Sequence, residues 1–410
     1  MIQMATGSRR RGKGSITSYK TKAGVRWRFQ LWVPIDPERP EDGERQTGKA
    51  GFATAEEADD ALTGAKNQLK NQIKFVRTSP TVETYVDQWI DGLQLEASTI
   101  AGYKRIAKNH IKPELGKIAL DKVTATRLAA HYKHLLARGR KDAAGAGKPL
   151  SANSVNKVHV CLGAMFDAAK DDGYVAINPA RKRGIVKAPT GRQIKSQAPD
   201  QATWTATQLT AYLTWNRDVF EDELHTLWRT IAMTGVRRSE ALALQWRDID
   251  LANCRLSIRR ALDTTARDTV KLTKTGGARV IDLDDGTISA LKSWRVQRGK
   301  VSLELAAAGG YVFGNLQGGT RSPNEVSRRW RLRVEKARTA LGEGAIPAVT
   351  LKGLRHTHAT LMLESGVHPK VVQERLGHST ITTTMNVYSH VTPTMQRDAV
   401  DRVAGLLGGN

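Results

Sequence analysis

The segment LGHSTITTTMNVYSHV (376–391) sets Tyr388 ten residues after His378, with four threonines between them. Tyrosine is scarce in this chain, 8 of 410 residues, so its position poses a choice. The ring packs a helix against a core, or the hydroxyl attacks something. The basic residues upstream bear on that choice. In MTGVRRSEALAL, Arg237 follows a Thr-Gly turn at the start of a helix. A helix N-terminus already favours an anion, and arginine adds a planar fork that keeps its charge. Glu240, three residues on, would fix this arginine or cap the turn. In KLTKTGGARVIDL, Lys274 stands at the tip of a hairpin with Gly276 and Gly277 in the turn. Such a lysine is ordinarily just solvated, but it is also placed to hand a proton to a departing oxygen. LKGLRHTHATLMLESG opens another helix, with Arg355 near its start and Lys352 three residues earlier. Ser379 or Thr380 would cap the helix that carries Tyr388. Each cation alone reads as a surface residue; together they suit chemistry on a phosphate.

The composition points the same way. There are 64 Lys plus Arg against 40 Asp plus Glu, a net charge of +24. That excess calls for a polyanionic partner, nucleic acid before an anionic membrane surface. No run approaches the roughly 18 apolar residues of a spanning helix, and the basic N-terminus lacks the apolar stretch of a signal peptide. Cys161 and Cys254 are far apart in sequence, which excludes a disulfide framework or a zinc finger by ligand count and fits a reducing, cytoplasmic setting. No metal or cofactor is expected. GAGK (145–148) is not a phosphate loop, because Asp142 and Pro149 stand where the pattern needs Gly and Ser or Thr.

The elements that must position these residues fall into three pieces. Residues 1–28 hold eight basic residues and no acid, an arm suited to phosphate contact. VRWRFQLWV (25–33) and ERQTGKAGF (44–52) read as strands, and 54–74 as a helix capped by Thr54. Residues 1–77 are therefore expected to form a small α+β domain. Residues 80–180 read as all helix, with Ser98, Thr124 and Ser151 as caps. Residues 181–202 form a basic linker, and 203–410 a mixed α+β domain. In the last piece, helices are expected at 205–217, 222–235, 238–245, 284–299, 323–340, 353–365, 369–376 and 380–389, with strands at 254–260, 269–273 and 278–283. RRWRLRVEKAR (328–338) reads as a basic helix, part phosphate contact and part solvated face. His356 and His358 do not form an HExxH metal site and are expected to pack or hydrogen-bond, while Arg238 should point away from Arg237.

Taken in order, TGVRRSE (234–240), KTG in a hairpin, LRHTHAT (354–360), LGH (376–378) and Tyr388 resemble the tyrosine recombinase family, lambda-integrase-like phage integrases in particular. The resemblance implies an N-terminal arm-binding domain, a helical core-binding domain and a catalytic domain. It implies that Tyr388 attacks a DNA phosphodiester to form a 3′-phosphotyrosine. Arg237 and Arg355 would clamp the non-bridging oxygens, His378 would donate a hydrogen bond to the same phosphate, and Lys274 would protonate the 5′-oxygen. The chemistry agrees with elementary expectation. Charge builds on the equatorial oxygens, so fixed cations are the largest catalytic contribution, and arginines bind such oxygens bidentately. A phenol of pKa near 10 needs a base or a strongly positive pocket.

One departure stands out: the family usually has His three residues before the second arginine, and this chain has Lys352. A lysine there supplies charge and position but is a poor base at neutral pH, so the phenol proton would leave to water or to the phosphate. The partners implied are double-stranded DNA attachment sites, a homotetramer on DNA, and a directionality factor with a host DNA-bending protein. The expected setting is the bacterial cytoplasm, at the nucleoid. Competing readings are a type IB topoisomerase and a non-catalytic architectural DNA-binding protein. The tail 391–407 would dock on a neighbouring subunit or on its own domain.

Overall fold

Alternation in GVRWRFQLWVP drives the first layer: Phe29, Leu31 and Val33 point one way and are buried, while their neighbours face outward. The structure, a computed structural model, describes residues 14–21, 24–35, 43–70, 79–142, 145–197, 201–263, 269–272, 278–388, 400–401 and 404. The chain divides into two units, Met1–Ala198 and Pro199–Asn410.

In the first unit, β1 (Gly14–Thr21), β2 (Gly24–Pro34) and β3 (Glu44–Phe52) form an antiparallel sheet in that order. Helix α1 (Ala55–Lys70) lays Leu62 and Ala65 on Phe29, Leu31 and Val33. Thr54 does cap α1, accepting from the Glu57 amide at 3.1 Å. β1 was not expected, because GSITSYKT carries little apolar signal; its pairing with β2 from Gly14↔Leu31 to Thr21↔Gly24 makes it a strand.

The same unit continues with α2 (Val82–Asp91), α3 (Ala97–Ile106), a π-helical turn (Ala107–Ile111), α4 (Lys112–Leu115), α5 (Ala125–Arg138), α6 (Ala152–Asp171) and α7 (Gly191–Ser196). Thr124 and Ser151 cap α5 and α6 as expected. Ser98 does not cap: α3 begins at Ala97, and the preceding Glu96 makes no side-chain cap bond. Part of the stretch expected as a linker is folded. Val186 is buried in the helical core, Thr190 closes a capping box on α7, and Gln197 accepts from the Ala152 amide at 2.9 Å.

The second unit holds α8 (Ala206–Asp218), α9 (His225–Thr234), α10 (Arg238–Leu242), α11 (Asp285–Val301), α12 (Leu303–Ala306), α13 (Pro323–Leu341), α14 (Leu351–Glu364), α15 (Pro369–Leu376) and α16 (Ile381–Tyr388). Its strands are β4 (Ile249–Asp250), β5 (Arg255–Ile258), β6 (Arg260–Leu262), β7 (Val270–Leu272) and β8 (Arg279–Asp282). The single strand expected at 254–260 divides at Arg259. β5 joins β4 and β8, while β6 pairs with β7 in a separate hairpin.

An aromatic cluster fixes the helices that carry the candidate residues. Trp330 of the basic helix α13 is fully buried, 5.7 Å from Trp204, 5.1 Å from Tyr212 and 5.2 Å from Trp228, centroid to centroid. Its Nε1 donates to the Val349 carbonyl at 2.7 Å, and the next residue, Thr350, caps α14. The Trp204 amide donates to Thr357 Oγ1 at 3.1 Å, about two helical turns further along α14. Trp330 thus anchors the start of the helix bearing Lys352 and Arg355. Trp330→Ala is expected to cost about 3–5 kcal/mol of stability by cavity formation, measured by denaturant unfolding; a loss under about 1 kcal/mol would mean that the cluster does not hold this unit together.

Candidate active site

Two left-handed turns bring the candidate arginines together. Helix α9 ends on Gly235 (φ 64°) and α15 on Gly377 (φ 67°), a conformation glycine adopts without steric cost. At Gly235 a Cβ would also stand 2.5 Å from Leu376 and 2.7 Å from His358. The close turns leave helix C-terminal carbonyls pointing at the space between them. Such carbonyls lack intrahelical partners and carry partial negative charge.

Arginines satisfy them. Buried Arg355 donates through Nη1 to the Gly235 carbonyl at 2.6 Å and through Nη2 to the Leu376 carbonyl at 2.7 Å. Arg237 Nη2 donates to the Gly377 carbonyl at 3.0 Å. Burial, then the charge of Arg237, lowers the Arg355 pKa to about 9, which still leaves it charged at neutral pH. Glu240 does both things the sequence allowed. Its Oε2 accepts from the Arg237 amide at 2.9 Å, and its Oε1 from Arg237 Nη1 at 2.8 Å. Burial pushes the Glu240 carboxyl up, but Arg279 and then Arg237 outweigh that and hold it below the usual carboxylate range.

His378 follows Gly377. Its amide donates to the Gln373 carbonyl at 3.0 Å, and Gln373 Nε2 donates to the His378 carbonyl at 3.1 Å. Its Nδ1 lies 2.9 Å from the hydroxyl of Thr384, a buried residue of α16. With Thr384 donating, the ring proton sits on Nε2, free to be given to another group. Helix α16 ends at Tyr388, whose side chain lies outside the described residues, as does all of Lys274.

Arg237, Lys352 and Arg355 border one cavity of about 890 Å³, walled on its far side by α13. Lys352 is exposed in the first turn of α14. That helix starts two residues earlier than the sequence suggested, because Thr350 is its cap. Arg238 diverges from Arg237, donating to Ser327 of α13 at 2.5 Å, yet it lines the same cavity. On α13, Trp330 and Val334 are buried, Arg328 pairs with Glu325, and Arg331 and Arg338 face the cavity. Arg279 and Arg375 escaped the sequence reading. Arg279 pairs with Glu240, and Arg375 donates to His358 Nε2 at 3.2 Å and to the Met233 carbonyl at 3.1 Å. The signal for Arg279 was present, a basic residue near the start of the strand expected at 278–283. That strand, β8, pairs with β5 and not with β7, so the hairpin expected around Lys274 is not formed by the described strands. Among the described residues no cluster of His, Cys, Asp or Glu is placed to hold a metal ion, and no described helix is long and apolar enough to cross a membrane.

The arginines leave a mark on the histidines. His378 is lowered to about 4 by burial, then Arg355 and Arg237. His356 is lowered to about 4 by burial, then Lys352, and His358 to about 4 by burial, then Arg375. All three rings are therefore neutral in the fold at pH 6. A depressed folded pKa gives stability that is present above the unfolded value near 6.5 and lost as pH falls towards 4. Denaturant unfolding at stepped pH should show this unit weakening from about pH 6.5 down to about pH 4. NMR titration should find these imidazoles still neutral at pH 6, and a ring of His378 that protonates near pH 6.5 would contradict the assigned environment.

The chain is similar to known proteins over most of its length. Residues 214–395 match the phage integrase family, and residues 81–136 match the SAM-like N-terminal domain of phage integrases. A XerC-like tyrosine recombinase of Caldanaerobacter subterraneus subsp. tengcongensis is 24% identical over 378 residues, 88% of this chain and 90% of that protein. The ICEBs1 integrase of Bacillus subtilis is 23% identical over 377 residues, 90% of this chain and 95% of that protein. Among solved structures, the Tn1549 transposon integrase in complex with a circular intermediate DNA has a TM-score of 0.64 at 21% identity, covering 79% of this chain and 100% of that one. A lambda integrase dimer bound to a COC′ core site has a TM-score of 0.55 at 18% identity, covering 90% and 93%. At those identities the structures speak for the fold: a tyrosine recombinase integrase with an N-terminal region and a catalytic domain. With both segments matched and relatives spanning most of its length, the chain belongs to the phage integrase family, the tyrosine-type site-specific DNA recombinases.

Proposed function

We propose that Tyr388 is the nucleophile of this recombinase and that Arg237, Arg355 and His378 hold the phosphate it attacks. The carrying observation is that two guanidiniums and a neutral imidazole are fixed around one turn, 376–378, shortly before the helix that ends on Tyr388. In the proposed step the Tyr388 oxygen bonds to phosphorus as the bond to the 5′-oxygen breaks. Lys274 gives its proton to that oxygen, and the phenol proton leaves to water or phosphate. Arg237 and Arg355 neutralise charge on the non-bridging oxygens, and His378 donates from Nε2. Lys352, exposed on the cavity rim, adds charge rather than basicity. The 3′-phosphotyrosine conserves the bond energy, so a new 5′-hydroxyl can religate without ATP. In this reading a tetramer on paired attachment sites exchanges strands to integrate and excise a mobile element in the bacterial cytoplasm, with a directionality factor and a host DNA-bending protein assisting. Support for the assembly comes from a neighbour, a lambda integrase tetramer bound to a Holliday junction.

The first unit is proposed to grip two stretches of DNA, an arm site through residues 1–77 and a core site through 80–180, with 181–202 leading from the core-binding part to the catalytic domain at 203–410. The face of β2 turned away from α1 supports the first. Arg26, Arg28, Gln30 and Trp32 alternate along it, with Tyr19 and Thr17 beside them on β1 and the small Gly48 and Ala50 on β3. A basic β face suits contact with DNA, whose major groove admits β-strands.

Covalent trapping tests the catalytic reading. A nicked duplex made from the DNA flanking this gene should yield a protein–DNA adduct on a denaturing gel. Tyr388→Phe should abolish it, Arg237→Ala should slow it by about 10²–10³-fold, and Lys352→Ala by about tenfold. An adduct that persists in Tyr388→Phe would remove that residue from its role. For the arm site, Arg26→Ala with Arg28→Ala should flatten the log–log salt dependence of arm-DNA binding by about two. Adduct formation on a core duplex should stay as it was; unchanged arm binding would sink the assignment of this face.

A further inference from the structure

Arg279 has no part in the reaction as proposed, yet it touches the pieces that carry it. It opens β8, and its Nη1 and Nη2 donate to the two oxygens of Glu240 at 3.1 and 2.5 Å. Its Nε donates to the Arg375 carbonyl at 3.0 Å. Its guanidinium lies against Gly377, where a Cβ would stand 3.0 Å from Nη1. Arg237 holds the other positions on the same carboxylate, so each Glu240 oxygen accepts one bond from each arginine.

The charges then decide what Arg237 can do. Glu240 is buried, and a buried carboxylate must be matched by a cation. Were Arg237 its only partner, the two would cancel at close range and little positive field would reach a ligand. Two guanidiniums on one carboxylate leave one positive charge over. Arg237, with 46% of its side chain exposed against 15% for Arg279, is the member that faces outward, and it borders the cavity.

We infer that Arg279 is a positioning residue for recombination: it neutralises Glu240, so that the charge of Arg237 remains available to a non-bridging phosphate oxygen, and its contact with Gly377 sets the turn that aims His378. The inference rests on Arg237 being a phosphate contact, as proposed above.

The test uses the full chain and the same nicked duplex from the DNA flanking the gene. Arg279→Met should slow adduct formation about 10²-fold at saturating DNA, with the DNA Kd changed by no more than about twofold. Adding Glu240→Gln removes the negative charge that Arg279 cancels, and should restore the rate by about tenfold or more. If Arg279 were only a structural prop, losing a second partner would leave the double variant no faster than Arg279→Met. That result overturns the inference, as does a loss confined to Kd. Arg279→Lys keeps the charge without the fork and should stay within about tenfold of the original rate. It decides the matter if Arg279→Met does not fold, since a loss as deep as that of Arg237→Ala would overturn the charge account. Normal cleavage by Arg237→Ala would instead mean that the proposed function has failed.

Discussion

A site that binds a phosphate needs cations held still but not cancelled, and this requirement organises the catalytic unit. A carboxylate would hold an arginine firmly and remove its field. A backbone carbonyl at a helix C-terminus holds it with a partial charge instead. The unit uses such carbonyls repeatedly. Arg355 rests on Gly235 and Leu376, Arg237 on Gly377, Arg279 on the Arg375 carbonyl, and Arg375 on Met233. Helices α9 and α15 end side by side so that this is geometrically possible, and glycine at both ends permits the close approach. The aromatic cluster around Trp330 then fixes α14, the helix that carries Arg355, in register with those ends.

How much of this could be read in the sequence depended on how local the signal was. Arg237 was legible because a Thr-Gly turn precedes it and Glu240 follows by three residues. Helix starts were legible where Thr124 and Ser151 cap them. Arg355 was legible as a residue, but its environment was not: its carbonyl partner Gly235 is 120 residues away. Arg279 pairs with Glu240 across 39 residues, and no spacing rule connects them. The polar strand β1 was missed because its conformation is imposed by β2 rather than by its own composition. The stretch after Asn178 looked like a linker because prolines and unopposed basic residues dominate it. Val186 and Gln197 nonetheless tie it to the helical core and to the start of α6.

The three histidines show how one arrangement sets several properties together. Burial first, and then nearby cations, keep these rings deprotonated: Arg355 and Arg237 act on His378, Lys352 on His356 and Arg375 on His358. A neutral ring can donate from one nitrogen while accepting at the other, which an imidazolium cannot do. Burial, with the surrounding cations adding to it, therefore selects the histidine form that is able to bridge two partners.

The four-threonine run that precedes Tyr388 acquires a meaning from this. Among the side chains described in α16, residues 381–385, Thr384 alone is buried, and its hydroxyl meets His378. The contact makes the seat of the helix and the proton on the imidazole two readings of one bond. Lifting α16 away would take Tyr388 with it and at the same moment leave Nδ1 without its partner. The seating of the helix that ends on Tyr388 and the hydrogen bonding of His378 are thus coupled through a single contact.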